Sequence, residues 1–163
     1  MKTKISISFI ILLLAVSLSV AQAQDASHNR AFGIGAQVTS PAGIAMKGWI
    51  SDNAAIASVV SFDLRDNASS FYVHADYLMH KHYDTPDWDI GVLSYYYGVG
   101  GRYIYRDAGP DDSFFGVRLP GGLNFTFTDL PFDFYIEMAP VLEVTPDVAL
   151  GFDGGIGFRY FLN

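Results

Sequence analysis

The sequence predicts an all-β fold, a single eight-stranded antiparallel up-and-down transmembrane β-barrel that follows a cleaved signal peptide. Three observations support this prediction. The chain begins with an apolar leader, short polar breaks divide the remainder into segments of strand length, and large apolar residues alternate within these segments with glycine and polar residues.

The first 23 residues have the three parts of a secretory signal. Lys2 and Lys4 provide a positive start, residues 5–20 form an apolar run, and Ala21-Gln22-Ala23 places small residues where a signal peptidase cleaves. The run is short for a spanning helix, and the cleavage pattern follows it directly. We therefore expect cleavage after Ala23 rather than an N-terminal membrane anchor.

The chain after this signal is predicted to form one domain. Residues 24–30 are a short lead, and residues 31–163 are the barrel domain. Removal of Lys2 and Lys4 would leave eight basic against 17 acidic residues. This balance argues against nucleic acid as a partner, because phosphate binding needs clustered Lys and Arg. The chain has no cysteine, which is compatible with an oxidising compartment.

Seven breaks rich in Ser, Thr, Asp, Asn and Pro separate eight segments, whose Gly, Tyr, Phe and Val content is typical of strands and turns. The predicted strands are 31–38, 43–50, 54–64, 70–82, 91–106, 114–127, 132–144 and 149–162. Pro120 and Pro140 lie inside two of them. Since proline cannot donate to a strand ladder, we expect each to mark a bulge or a local break in pairing.

Period-two alternation is clearest in the last predicted strand. One face carries large apolar side chains and the other carries glycine and charge: Phe152, Ile156, Phe158, Tyr160 and Leu162 against Asp153, Gly155, Gly157 and Arg159. A water-soluble barrel would cover its outer face with Lys, Glu, Asp and Thr. The polar faces here carry many glycines and few charges, so the pattern favours a lipid-facing apolar surface. A soluble, periplasmic, lipocalin-like barrel that binds an apolar ligand is the alternative.

An eight-stranded barrel is filled by side chains rather than by an open aqueous channel. Its charges should balance, because an unpaired buried charge costs several kcal/mol. The predicted interior charge network, a structural one, is Lys47, Asp63, His74, Asp76, Arg102, Arg118, Glu137, Asp153 and Arg159. Within it we expect the three arginines to pair with Glu137, Asp153 and Asp76.

Histidines on the fourth predicted strand have two further interpretations. A lipid-modifying enzyme would use a catalytic set at the membrane face, here His74, His80 and His82 with Ser70 and Asp76. A Zn²⁺ site would use His80 and His82 with Asp84, Asp87 and Asp89. No motif places a serine beside the histidines, and His-x-His spacing before an acidic loop is common without a metal. The sequence therefore predicts no catalytic, cofactor-binding or metal-binding residues and no cofactor, and leaves the enzyme as a second alternative.

Four segments resemble a family of small bacterial outer-membrane proteins that is similar to the OmpA/OmpX-type eight-stranded barrels. They are Tyr97-Gly98-Val99-Gly100-Gly101-Arg102, residues 116–123, residues 131–140 and residues 154–160, and the resemblance spans Phe32 to Leu162. It implies a barrel in the bacterial outer membrane and brings no activity with it. We therefore expect a monomer in contact with outer-membrane lipid, with a structural or interaction role and no catalysis.

Overall fold

The computed structural model describes residues 32–38, 42–65, 68–83, 89–106 and 113–162. The predicted signal peptide, residues 1–23, and the lead, residues 24–30, lie outside the described residues. The described regular structure consists of β-strands. No helix among the described residues is long and apolar enough to cross a membrane.

Nine strands follow one another along the chain. They are β1 (Phe32–Val38), β2 (Gly43–Trp49), β3 (Ala54–Arg65), β4 (Ala68–His82), β5 (Gly91–Arg106), β6 (Ser113–Arg118), β7 (Gly121–Phe127), β8 (Phe132–Thr145) and β9 (Ala149–Leu162). Seven of the predicted segments each correspond to one strand with small shifts at their ends. The eighth, the predicted strand 114–127, is divided into β6 and β7.

The strands form one antiparallel sheet that closes in a ring. The order is β4-β3-β2-β1-β9-β8-β6-β5-β7, with further pairings of β4 with β5 and of β8 with β7. Because β6 and β7 both lie between β5 and β8, they share one position, and the ring has eight strands. Pairing of β1 with β9 joins the first and last strands. The structure thus confirms the predicted all-β fold, its antiparallel pairing and the number of eight strands around the ring.

Pro120 interrupts the predicted sixth strand without shifting its register. On β5, Arg118 pairs with Gly100 and Gly121 pairs with Tyr97, which is one continuous alignment. The N–H of Gly98 donates to the carbonyl of Pro120 at 2.9 Å, but Pro120 has no N–H to return. The expected local break is confirmed here, and the proline causes no bulge against β5.

Pro140 lies inside β8, and that strand continues through it. Pro140 is exposed and pairs with Phe152 of β9 in unbroken register. Its carbonyl accepts the N–H of Leu119 at 3.0 Å, and the reciprocal bond is missing because proline lacks the donor. No bulge lies at Pro140, but the expected local break is confirmed on one side of β8, where pairing with β6 ends at Val141 and pairing with β7 begins at Met138. The register shift between β6 and β8 lies elsewhere, between Phe115 and Gly116.

Side chains alternate between the inside and the outside of the ring along each long strand. In β8, Asp133, Tyr135 and Glu137 are buried, while Phe134 and Ile136 are about half exposed. The same alternation runs along β9. Charged side chains therefore occupy the inside of the ring and large apolar side chains its outside, which is the reverse of a water-soluble protein.

Glycines on the inner face leave space for long polar side chains from neighbouring strands. A Cβ atom on Gly100 would lie 1.9 Å from Asp76 Oδ1, and one on Gly155 would lie 2.3 Å from Gln37 Cδ. A Cβ on Gly157 would lie 2.5 Å from the Tyr135 ring. The glycine-rich polar face in the sequence thus reflects close packing inside the ring.

Candidate functional site: a buried ion-pair network

Arg118, at the end of β6, is the centre of the largest group of buried charges. Its guanidinium donates through Nε to Asp76 Oδ2 at 3.1 Å, through Nη1 to Asp153 Oδ2 at 2.7 Å and through Nη2 to Glu137 Oε1 at 2.6 Å. These carboxylates come from β4, β9 and β8, and Arg118 is only 1% exposed. One guanidinium therefore ties three other strands together across the interior.

Arg102 of β5 extends this network towards the β8–β9 connection. It pairs with Asp153 and with Glu143, the latter partly exposed. Asp153 consequently accepts hydrogen bonds from two guanidiniums. We call Tyr72, His74, Asp76, Arg102, Arg118, Glu137, Glu143 and Asp153 the Arg118 cluster.

Two tyrosines donate further hydrogen bonds to Asp153 and Glu137. The Tyr72 hydroxyl donates to Asp153 Oδ2 at 2.8 Å and accepts from Arg118 Nη1 at 2.9 Å. The Tyr96 hydroxyl donates to Glu137 Oε2 at 3.1 Å. Such satisfaction matters because buried ion pairs stabilise only when their remaining lone pairs and protons find partners.

A second group, the Arg159 cluster, is formed by Lys47, Asn124, Asp133 and Arg159. Arg159 binds both oxygens of Asp133, with Nε to Oδ1 and Nη2 to Oδ2 each at 2.9 Å. Lys47 Nζ lies 3.6 Å from Asp133 Oδ2 and donates to Asn124 Oδ1 at 3.2 Å. Lys47 and Asp133 are fully buried. This cluster lies nearer the end of the ring where β2 meets β3.

His80 belongs to neither cluster and is held by aromatic rings. It packs against Trp49 at a centroid distance of 4.5 Å and stacks on Tyr96 at 5.1 Å. It is 1% exposed, and neither ring nitrogen has a hydrogen-bond partner among the described residues. His80 is therefore packed as a buried aromatic side chain rather than displayed at a surface.

The structure places eight of the nine predicted network residues inside the ring. They are Lys47, His74, Asp76, Arg102, Arg118, Glu137, Asp153 and Arg159, all buried. The ninth, Asp63, lies on β3 opposite Ser70, and its side chain is outside the described part. Arg102 and Arg118 have partners from the expected set, whereas Arg159 pairs with Asp133, which that set did not include.

Several members of the network were missed by the sequence analysis. Asp133 and Glu143 are on the polar face of the seventh predicted strand, so the alternation contained the signal that could have found them. Tyr72, Tyr96 and Tyr135 are harder to recognise, because tyrosine is also typical of lipid-facing positions. Tyr135 lies on the inside, where its hydroxyl donates to Gln37 and its ring lies 4.1 Å from the Arg159 guanidinium.

The proposed catalytic set does not assemble. His74 is buried among Tyr72 and Asp76, while His82 is exposed at the end of β4. Ser70 is near the other end of the same strand. A catalytic triad requires the nucleophile and the base within hydrogen-bond reach, and these positions on one strand do not provide it.

The metal set formed by the last residues of β4 and the segment after it is also divided. His80 is buried against aromatic rings, whereas His82 and Asp89 are exposed. Asp84 and Asp87 lie outside the described residues.

Comparison of the chain with family models, with curated proteins and with solved structures finds no match. The chemistry of the buried clusters therefore has to be read from their geometry.

Proposed function

We propose that this protein is an outer-membrane β-barrel, a monomer whose polar interior is filled by side chains and whose role is structural or interaction-type rather than catalytic. The observation that carries the proposal is the inverted arrangement of the ring. Charged side chains are buried and paired inside, and large apolar side chains are exposed outside. A closed ring also satisfies the backbone within the sheet, which lipid requires.

The exposed apolar surface is too continuous for a monomer in water. Phe134, Phe152 and Phe158 are 51%, 61% and 44% exposed on two neighbouring strands. Soluble monomers rarely expose contiguous apolar patches larger than a few hundred Å². The surface on β8 and β9 continues onto other strands through Ile34 and Val99. Hydrocarbon is the solvent that suits such a surface.

The height of this surface matches a bilayer. Outward apolar side chains on β9 run from Leu150 to Leu162, a distance of twelve residue steps. At ~3.3 Å per residue this is about 40 Å along the strand. With a strand tilt of ~40° it becomes about 30 Å of depth, enough to cover the apolar band of ~25 Å on transmembrane barrels.

Aromatic side chains gather towards both ends of the ring, as expected for residues at a membrane interface. Near the β7–β8 connection, Phe132 packs against Tyr160 and Phe134 against Phe158. Near the β3–β4 connection, Phe62 packs against Phe71. Ile136 and Ile156 lie between these belts, together with the exposed Tyr77 and Tyr97 near the middle of β4 and β5.

The two alternatives are less well supported. A lipocalin-like protein would hold an apolar ligand inside, but the inside of this ring contains paired charges such as Arg118 and Asp76. An enzyme would need a reactive group that reaches a substrate, and His74 is buried within the Arg118 cluster. The signal-like N-terminus and the resemblance to OmpA/OmpX-type barrels agree with the membrane proposal.

Fractionation and gel migration test the proposal together. The full chain is expressed with its predicted signal peptide, membranes are washed with urea, and the extracted protein is run in SDS with and without heating. We expect recovery in the outer-membrane fraction and faster migration of the unheated sample, because a closed barrel stays folded in the detergent. Recovery in the soluble periplasmic fraction would refute the membrane location.

A further inference from the structure

His74 faces a hydroxyl with one ring nitrogen and a carboxylate with the other. Its Nδ1 lies 2.9 Å from the Tyr72 hydroxyl, and its Nε2 lies 3.6 Å from Asp76 Oδ2. The first distance is a hydrogen bond and the second is too long to be one. The residue is 3% exposed. A neutral His74 carries its proton on Nδ1 or on Nε2. This choice of tautomer therefore decides whether an N–H or a lone pair faces Asp76.

The partners of Tyr72 determine that tautomer. Its hydroxyl has one proton and is 2.8 Å from the charged oxygen Asp153 Oδ2, a stronger acceptor than a neutral imidazole. The hydroxyl oxygen then accepts the proton on His74 Nδ1. The lone pair of Nε2 is consequently directed towards the Asp76 carboxylate. Two electron-rich atoms facing each other in a buried site call for a cation between them.

Their separation suits a metal ion. Zn²⁺ binds histidine nitrogen and carboxylate oxygen at about 2.0–2.2 Å, which places two tetrahedral ligands about 3.4 Å apart. Nε2 and Asp76 Oδ2 are 3.6 Å apart. One ligand atom from each of His74, Asp76 and Glu137 lies within 4.8 Å of the other two. One nitrogen and two oxygens form a recognised donor set for Zn²⁺ and similar ions.

The charge of the surrounding cluster also favours a divalent cation. The Arg118 cluster contains four carboxylates, Asp76, Glu137, Glu143 and Asp153, against the guanidiniums of Arg102 and Arg118. With a neutral imidazole its formal charge is −2. Three of these carboxylates are buried and Glu143 is partly exposed, so the buried part of the cluster has one excess negative charge. An unbalanced buried charge is costly, and a bound cation offsets it.

The outer contacts of these side chains resemble those that orient metal ligands. Metal-bound histidines donate their other N–H to a neighbouring acceptor, as His74 does to Tyr72. Asp76 Oδ2 and Glu137 Oε1 each accept from Arg118, at 3.1 Å and 2.6 Å. Asp76 Oδ1 is buried and has no hydrogen-bond partner among the described residues. The carboxylates are thus held in place and keep lone pairs for a cation.

We propose that His74, Asp76 and Glu137 bind one divalent transition-metal ion of the Zn²⁺ class inside the ring, between β4 and β8. This site is different from the one that the spacing of His80 and His82 suggests in the sequence. It depends on the closed ring and is independent of whether that ring lies in a membrane. Because its ligands are buried, we expect the ion to be bound during folding and released slowly.

The test is metal analysis of the refolded full chain. Protein unfolded in urea with a chelator is refolded in detergent micelles with Zn²⁺, freed of unbound ion, and its zinc is measured per chain. We expect one Zn²⁺ per chain, and replacement by Co²⁺ should give the visible absorption of a nitrogen- and oxygen-ligated site. Less than about 0.2 Zn²⁺ per folded chain would overturn the proposal, and would mean that a proton lies between His74 and Asp76 instead.

Variants locate the ion. His74→Gln should reduce Zn²⁺ affinity by more than about tenfold, and Tyr72→Phe, which removes the group that orients His74, by about tenfold. His80→Gln and His82→Gln change histidines outside the cluster and should leave one bound Zn²⁺. If His74→Gln fails to refold, Tyr72→Phe and Glu137→Gln take its place. Equal zinc in the His74 or Tyr72 variant and the unchanged protein would refute this site, as would loss of zinc only in His80→Gln or His82→Gln.

Discussion

Arg159 and Asp133 form a bidentate ion pair between directly opposed residues of β9 and β8. Both hydrogen bonds are 2.9 Å long, and the two residues are cross-strand partners in the ladder. A planar guanidinium matches a carboxylate in this geometry, which lysine cannot reproduce. Because Asp133 is fully buried and also faces Lys47, it is the counter-charge for two cations.

Asp133→Asn should therefore destabilise the protein strongly. The change preserves the shape of the side chain but leaves Arg159 and Lys47 without a negative partner in the Arg159 cluster. We expect the free energy of unfolding to fall by about 3–5 kcal/mol. Urea unfolding in detergent micelles measures this, and Asp147→Asn, at an exposed position in the β8–β9 connection, is the control. Equal losses in the two variants would show that the buried pair has no special role.

Arg118→Met should lower the free energy of unfolding by a comparable amount, here because a buried positive charge is removed. It removes the only described guanidinium that reaches Asp76 and Glu137, and the remaining carboxylates then repel one another. A loss of about 3–5 kcal/mol is expected in the same unfolding measurement. Arg106→Met is the matched control, because Arg106 is exposed and contacts the Phe114 ring. A loss below about 1 kcal/mol for Arg118→Met would contradict the proposed importance of the Arg118 cluster.

Glu137→Gln tests the network with a smaller change. Glutamine has one side-chain oxygen and one NH2 group, so it can accept from only one of Arg118 and Tyr96, and it has no charge. Weakening of these charge-assisted hydrogen bonds should cost about 1–3 kcal/mol. Glu143→Gln, at the partly exposed edge of the Arg118 cluster, should cost less. Unchanged stability of Glu137→Gln in micelles would contradict the network.

Gly100→Ala should disturb the interior by adding one methyl group. A Cβ atom there would lie 1.9 Å from Asp76 Oδ1 and 2.3 Å from the carbonyl oxygen of Ala75, so backbone as well as side chain would have to move. Overpacking of this kind costs about 1–3 kcal/mol. Gly121→Ala is the control, since its nearest atom would be 3.8 Å away. Equal thermal stability of both variants would show that the interior tolerates the extra volume.

Substitutions on the outer face distinguish lipid from water. Ile156 is near the middle of the apolar span of β9, Leu162 is at its end, and both are about half exposed. In lipid vesicles, Ile156→Arg should lower the free energy of unfolding by about 2–4 kcal/mol and Leu162→Arg by about 0–1 kcal/mol. A protein surrounded by water would tolerate both changes equally. Equal effects in vesicles would therefore argue against a membrane-spanning ring.

Local sequence was sufficient to predict most strands and their two faces. Successive side chains on a strand point to opposite sides, so the alternation of Phe134 with Asp133 and Tyr135 defines the faces without knowledge of any neighbour. It predicted the break at Pro120, where an interior proline removes a ladder donor. It also predicted a break at Pro140, but not that this break would affect only one side of β8. There, one hydrogen bond is lost but the pairing with β9 is retained on the other side.

The sequence by itself determined an all-β chain with a polar face and an apolar face, because period-two patterning is local. Only the tertiary structure decided which charges meet. Arg118 and Asp76 are 42 residues apart and come together across the closed ring, and Arg159 meets Asp133 through the register of β8 against β9. A shift of one residue in that register would turn the paired side chains to opposite faces. Pairing between distant strands, rather than composition, therefore formed the two clusters and placed Glu137 beside His74 and Asp76, which are neighbours on one face of β4.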